Sequence, residues 1–153
     1  MKKFKFQLET LLKVTRMKKD EAEVRFAEVS RKLEDQRYHL RLLLDEMQKG
    51  QREYEELSQE GKRVTIGRLM IFNSFFAWKR EQIEMQQNLI LQTKEERQKR
   101  LKELMDVMSY LKSIEQLKAK RFEEYTAEFL AEEQKMLDEI GLQLFMRSEA
   151  RAK

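Results

Sequence analysis

Residues 12–57 read LKVTRMKKDEAEVRFAEVSRKLEDQRYHLRLLLDEMQKGQREYEEL, and apolar residues recur there at alternating steps of three and four. Ten of the fourteen positions on this spacing are apolar, and most residues between them are charged. A narrow apolar stripe sustained over more than three heptads indicates a coiled coil, because helices of globular cores carry a wider stripe. We call these positions the first seam: Leu12, Thr15, Lys19, Ala22, Phe26, Val29, Leu33, Gln36, Leu40, Leu43, Met47, Gly50, Tyr54 and Leu57.

A second seam with the same spacing begins at Leu69, and twelve of its twenty positions are apolar. It is poor between Arg80 and Arg97 and richest between Leu101 and Leu111. Its positions are Leu69, Asn73, Phe76, Arg80, Ile83, Gln87, Ile90, Lys94, Arg97, Leu101, Leu104, Met108, Leu111, Glu115, Lys118, Phe122, Tyr125, Phe129, Glu132 and Met136.

The composition agrees with long helices. The chain has 153 residues, of which 39% are charged, with four glycines, no proline and no cysteine. A compact domain with many turns would draw on Gly and Pro, whereas helix interiors exclude both. The composition therefore argues against sandwiches, barrels and doubly wound sheets.

The break between the two seams is short and contains Gly61 and Gly67, with Thr65 as a candidate N-cap. A short connection between long helices favours antiparallel neighbours. We therefore predict an all-α fold, a long antiparallel two-helix coiled-coil hairpin forming a single domain over 1–153. Helix 1 is expected at about 6–59, the tip at about 60–66, helix 2 at about 67–140 and, after Gly141, a C-terminal tail at 141–153.

The two predicted helices differ in length. With the tip near residue 63, residue i faces about residue 125 − i, so the part of helix 2 beyond about residue 122 has no partner from helix 1. This part, called the overhang, keeps an apolar stripe of the kind that usually marks a site for another chain. The stripe comprises Phe122, Tyr125, Phe129, Leu130, Met136, Leu137 and Ile140.

Catalytic chemistry finds no support in the sequence. One histidine, His39, and no cysteine cannot form a zinc motif or a His-based triad. Adjacent acids such as Glu55 and Glu56 point about 100° apart on a helix and stay in water. We therefore predict a protein that is not an enzyme, with no catalytic residue, no metal site and no cofactor.

Residues 61–80 combine five basic side chains with Phe72, Phe75, Phe76 and Trp78 and contain no acid. Basic groups interleaved with aromatic rings can bind single-stranded nucleic acid. The favoured interpretation is that the aromatic residues close the hairpin end by packing, and a protein-docking tip stays open as a third reading.

Both ends of the chain carry a recognisable motif. The motif at the start comprises Phe4, Phe6, Leu8, Leu11, Leu12, Val14, Lys19, Asp20 and Ala22. The motif at the end comprises Phe122, Glu123, Glu133, Lys135, Leu137, Asp138, Glu139, Ile140 and Phe145. These two motifs resemble the FliJ family of flagellar export proteins, and the length and two-helix layout agree over essentially the whole chain.

The resemblance implies a stalk like that of rotary ATPases, which binds and stimulates the hexameric export ATPase FliI, contacts the export gate protein FlhA and escorts unladen export chaperones. It implies a role in flagellum biogenesis, chemotaxis and motility, at the cytoplasmic face of the inner membrane with peripheral membrane association and no nucleic acid. The gate contact would fall on Lys13 to Val24. The residues implied to face the ATPase ring are Phe4, Phe6, Leu8, Leu11, Leu12, Phe122, Tyr125 and Phe129.

Three alternatives stay open beside this reading. Stalk proteins of injectisomes have a similar architecture, a generic structural coiled coil could dimerise through the overhang, and a basic rod could bind nucleic acid through its tip.

Overall fold

The computed structural model describes residues 2–59 and 63–152, which form two α-helices, α1 (Glu9–Gln59) and α2 (Ile66–Ala152). These two ranges contain no strand. The helices pack against each other as an all-α hairpin, as predicted. Contacts such as Gln36 with Gln86 and Glu9 with Lys118 follow the expected antiparallel register, in which residue i faces about residue 125 − i.

Helix α1 begins at Glu9, three residues later than predicted. Residues 2–8 are not helical, and the Glu9 amide donates to the Phe6 carbonyl oxygen at 3.2 Å in a turn that leads into the helix. Phe6 and Leu11 both pack on the core around Leu12. Residues 6–8 are predicted to be helical, but Phe6 packs on this core from a non-helical backbone.

Helix α2 begins with the predicted cap. The Arg68 amide donates to Thr65 Oγ1 at 3.3 Å, and the Leu69 amide donates to the Thr65 carbonyl oxygen at 3.2 Å. The Thr65 hydroxyl thus satisfies the Arg68 amide, and the Thr65 carbonyl accepts the first hydrogen bond of the helix. The rest of the predicted tip, residues 60–62 with Gly61, lies outside the described residues.

The predicted end of helix 2 at Gly141 is wrong, because α2 continues through Gly141 to Ala152. One glycine in a helix costs only about 1 kcal/mol relative to alanine, and no proline follows to stop the helix. The segment predicted as a tail is therefore helical.

The chain divides into two compact units, and both helices contribute to each. The terminal unit comprises Met1–Lys19 and Asp106–Lys153, and the middle unit is Asp20–Met105. The single domain over 1–153 stays a prediction.

The first seam is confirmed at every position, since all fourteen residues are buried or half-buried. In the second seam one position of most heptads is wrong, and the errors continue to Met108 and Glu115, which are exposed. Lys79, Gln86 and Thr93 are buried, whereas their predicted neighbours Arg80, Gln87 and Lys94 are exposed. At these three positions the buried side chains are polar, so a search for apolar residues passes over them. The covered residues Phe72, Val107 and Ile114 are apolar, and there the predicted spacing is displaced by one residue.

Each of these buried polar side chains has a partner. Lys79 Nζ pairs with the Glu46 carboxylate across the two helices. Gln86 Nε2 donates to the Gln36 carbonyl oxygen at 3.0 Å, and Thr93 Oγ1 donates to a carbonyl of its own helix. These hydrogen bonds allow polar groups to replace apolar ones inside the middle unit.

Aromatic packing occupies the part of the middle unit next to the helix connection. The Tyr54 ring lies 5.7 Å from that of Phe72 and 6.0 Å from that of Phe76, both edge-on. Phe75 packs against the backbone of Gly50 on α1. The interpretation that these phenylalanines serve packing is therefore confirmed, while Trp78 stays 54% exposed.

Candidate partner-binding surface of the terminal unit

The terminal unit is built on a small apolar core of Leu12, Leu111 and Ile114. Leu12 is completely shielded from solvent. This core fixes the start of α1 against α2 and so positions the chain that precedes it.

The non-helical residues 2–8 lie along α2 and hold an aromatic cluster together. The Phe4 ring lies 5.3 Å from that of Phe122, edge-on, and 5.5 Å from that of Tyr125. Tyr125 Oη donates to the Lys2 carbonyl oxygen at 2.7 Å. The expectation that Phe122 and Tyr125 lack a partner within the chain is therefore wrong, because the segment before α1 reaches them without being helical.

Two ion pairs fasten α1 to α2 beside this cluster. Glu9 Oε2 lies 2.9 Å from Lys118 Nζ, and Arg16 Nη2 lies 3.6 Å from Glu115 Oε1. The hydrogen bond from Lys118, with the charges of Lys118, Lys13 and Arg16, lowers the pKa of Glu9 below its ordinary value. Both pairs are substantially exposed, so their contribution to stability is small.

Beyond Tyr125 the apolar stripe of α2 is uncovered. Every residue from Thr126 to Ala152 is exposed, as the sequence predicts for the overhang. Phe122, Tyr125 and Phe129 form an aromatic row along α2, in which Phe122 and Phe129 remain 52% and 42% exposed. The exposed apolar residues that follow are Leu130, Met136, Leu137, Ile140, Leu142, Leu144, Phe145 and Met146.

The structure brings the eight predicted ring-facing residues into one unit but gives them different environments. Leu12 is interior, and Phe6 and Leu11 pack on the same core. Phe4 and Tyr125 are half-buried against each other. Accessible apolar surface is thus offered mainly by the three exposed members, Leu8, Phe122 and Phe129.

Sequence reasoning missed the last part of this surface. Leu142, Leu144, Phe145 and Met146 are exposed on α2, where Gly141 suggested a tail. The signal that could have found them is the absence of proline after Gly141, together with apolar residues that continue past it.

The polar surroundings of the aromatic row do not converge on a reaction centre. A shallow depression between residues 4–8 and α2 contains Arg121 and Glu124, whose side chains pair at 3.4 Å, and it opens to solvent. Within residues 2–59 and 63–152, no three His, Cys, Asp or Glu side chains cluster so as to hold a metal ion. An open apolar and aromatic face of this kind is suited to bind another protein.

The basic residues near the helix connection are less available than the sequence indicates. Lys79 is buried and engaged with Glu46, and Lys62 lies outside the described residues. Arg63 and Arg68 are exposed, but the aromatic residues Phe72 and Phe76 are used for packing. The surface that could bind nucleic acid is therefore smaller than the sequence indicates.

In the described part of the chain, neither helix contains a segment apolar enough to span a membrane.

The family model described as "Flagellar FliJ protein" matches residues 4–150. No curated protein and no solved structure matches the chain. Since the matched range covers nearly all of the chain and both motifs at its ends, the chain belongs to the FliJ family and is a component of the flagellar export apparatus.

Proposed function

We propose that this chain is a coiled-coil stalk without catalytic activity of its own, which binds the hexameric export ATPase through its terminal unit and stimulates it. The observation that supports this proposal is the aromatic row Phe122–Tyr125–Phe129, continued by the exposed stripe of the overhang. Aromatic side chains that become buried at an interface often dominate its binding energy.

The stalk acts by differential contact. A helix pair that binds one arrangement of the ring more tightly than others shifts the ring toward that arrangement. Stimulated ATP hydrolysis is then a linked effect in the partner, and no residue of this chain touches the nucleotide.

The charge of the overhang indicates what kind of ring surface it fits. Residues 122–139 include seven acidic residues and one basic residue. A basic surface on the ring would complement this segment and speed the encounter.

Further contacts belong to the same proposal. The export gate protein would bind α1 between Lys13 and Val24, where Val14 and Met17 are exposed. Unladen export chaperones would be escorted by the same chain, which would work at the cytoplasmic face of the inner membrane. Membership in the FliJ family is what supports these further roles. Val14 and Met17 are the exposed side chains that a contact on α1 would use.

The test compares two variants in an assay of ATPase stimulation and in thermal melting. Phe122→Ala with Phe129→Ala removes two half-exposed rings, so stimulation should fall to the rate of the ATPase alone, while loss of the contact between Phe122 and Phe4 should cost only about 1–2 kcal/mol of unfolding free energy. Leu104→Ala removes a buried side chain, so it should cost about 2–4 kcal/mol of unfolding free energy and leave stimulation intact below the melting temperature.

A matched control uses exposed side chains outside the stripe. Met108→Ala with Tyr110→Ala removes comparable exposed surface from the same helix and should leave stimulation unchanged. Equal loss of stimulation in this control, or full stimulation by the variant without Phe122 and Phe129, contradicts the proposed site.

A further inference from the structure

The overhang carries a line of side chains at seven-residue intervals with an unusual order of chemistry. The line runs from acidic through three leucines to basic, and its members are Glu123, Leu130, Leu137, Leu144 and Arg151. All five lie on the uninterrupted helix α2, and all five are exposed. Because residues seven apart lie on the same side of a coiled-coil helix, the five side chains form one row.

This row is complementary to a second copy of itself in one orientation only. If two overhangs pair antiparallel with Leu137 opposite Leu137, then Leu130 faces Leu144 and Glu123 faces Arg151, at both ends. A parallel pair would instead place Glu123 beside Glu123 and Arg151 beside Arg151. Like charges at such positions disfavour pairing, so the row selects the antiparallel orientation.

The neighbouring side chains extend the apolar surface of the row. Phe129 and Met136 lie one position before Leu130 and Leu137, and Ile140 lies one turn after Met136. All three are exposed. The N-terminal segment does not obstruct the row, because Phe4 covers Phe122 and Tyr125 while Glu123 stays accessible.

Helix physics favours a covered overhang. Residues 126–152 would span about 40 Å at 1.5 Å per residue, and no side chain among them is buried. Most helical stability in proteins comes from packing of an apolar face rather than from intrinsic propensity. A second helix laid antiparallel on this face would continue the packing that α1 provides up to Lys118.

We infer that the overhang is a self-association surface, on which two copies of this chain pair antiparallel through Glu123, Leu130, Leu137, Leu144 and Arg151. The pair is isologous, since each copy contributes the same row. This goes beyond the proposed function, and it implies that the pair conceals Phe129 and the stripe until a ring competes for them.

Sedimentation velocity of the full chain over a wide concentration series tests the pair. The wild-type protein should pass from its monomer mass of 18.7 kDa to twice that mass as concentration rises. Leu137→Asp should remain monomeric while circular dichroism shows an unchanged melting temperature, because Leu137 has no partner within its own chain.

Charge reversal tests the orientation. Arg151→Glu or Glu123→Arg alone places like charges together at both ends of the pair and should weaken self-association about tenfold. The two changes combined should restore it to near the wild-type level. Lys135→Glu is the matched control, because Lys135 is exposed on the other side of α2 and its reversal changes the net charge as Arg151→Glu does.

Three results overturn the inference. The wild-type chain could stay monomeric at every concentration, which leaves the stripe to a different protein. Lys135→Glu could weaken self-association as much as Arg151→Glu does, or the combined reversal could fail to restore it. No ATPase is present in this experiment, so its failure leaves the proposed ring contact untouched.

Discussion

Lys79 is a lysine held almost entirely inside the middle unit, and its charge is balanced by the more exposed Glu46 carboxylate. Its ammonium also lies 5.0 Å from the Trp78 ring centroid and 5.7 Å from that of Phe75. A buried charge is costly when its partner is removed, but an apolar side chain of similar length can replace it without loss.

The two members of this pair should therefore respond differently to substitution. Glu46→Gln leaves the Lys79 charge buried without its counter-ion and should lower the free energy of unfolding by about 1–3 kcal/mol. Lys79→Met should be neutral or stabilising, because Glu46 then returns to water. Urea denaturation of both variants gives the answer, and equal losses in the two would contradict the asymmetry.

Gly50 is required by close packing. A Cβ placed there would lie 2.5 Å from Phe75 Cε1, which is nearer than two carbon atoms approach. Gly50→Ala should therefore cost about 1–2 kcal/mol of unfolding free energy, even though alanine favours the helix.

Gly141→Ala is the matched control for this change. A Cβ at Gly141 meets nothing within 4 Å, so its replacement should raise helix content without loss of stability. If chemical denaturation finds Gly50→Ala as stable as the wild type, the close approach of Phe75 is not a constraint.

The lowered pKa of Glu9 makes a prediction about pH. A carboxyl whose folded pKa lies below its unfolded value adds stability above the unfolded pKa, and this stability is lost as pH falls through the folded pKa. Lys118 is the largest cause of the shift, so Lys118→Met should move the pKa of Glu9 back toward its ordinary value.

An NMR titration of the Glu9 carboxyl carbon measures this directly. Lys112→Met on the same helix removes an equal charge and should leave the Glu9 titration where it is. An unchanged pKa of Glu9 in Lys118→Met would show that the ion pair does not persist in solution.

At the scale of helices, the two seams show how far periodicity predicts the packing. Every position of the first seam is buried or half-buried, because ten of its fourteen positions are apolar and fix its spacing along α1. In α2 the spacing of three and four is correct, but one position in most heptads is displaced by one residue. At Val107 and Ile114 the covered residue is apolar, whereas Lys79, Gln86 and Thr93 are polar. Their partners come from α1 or the backbone, and such partners are not visible in the hydropathy of one helix.

The overhang contributes little to the stability of the paired part of the two helices. Removal of residues 130–153 should leave the unfolding free energy of the core within about 0.5 kcal/mol, because every side chain from Thr126 to Ala152 is exposed.

Phe4→Ala should lower the free energy of unfolding by about 1–2 kcal/mol, since it removes the ring contacts with Phe122 and Tyr125.

Thermal melting and far-ultraviolet circular dichroism compare these two variants. The truncated chain should lose helical signal in proportion to the residues removed and keep its midpoint. A large drop in the midpoint of the truncated chain would mean that the overhang packs on the rest of the protein.

For the molecule as a whole, the terminal unit carries the exposed apolar stripe of the overhang, and the middle unit buries polar side chains between its paired helices. The exposed stripe could be predicted from the sequence, because unequal helix lengths leave part of α2 uncovered. The pairing of Phe4 with Phe122 and Tyr125 could not be predicted, since it depends on a non-helical backbone before Glu9 that no periodicity describes.

The central claim is that the terminal unit is the part of the chain that binds the export ATPase. Hydrogen exchange of the full chain, alone and with the assembled ATPase hexamer, tests it most directly, because uncovered helices open locally and exchange faster than packed ones. The account predicts that the hexamer slows exchange in residues 122–146 and leaves residues 63–80 unchanged. Slowed exchange confined to residues 63–80, with 122–146 unaffected, would contradict it.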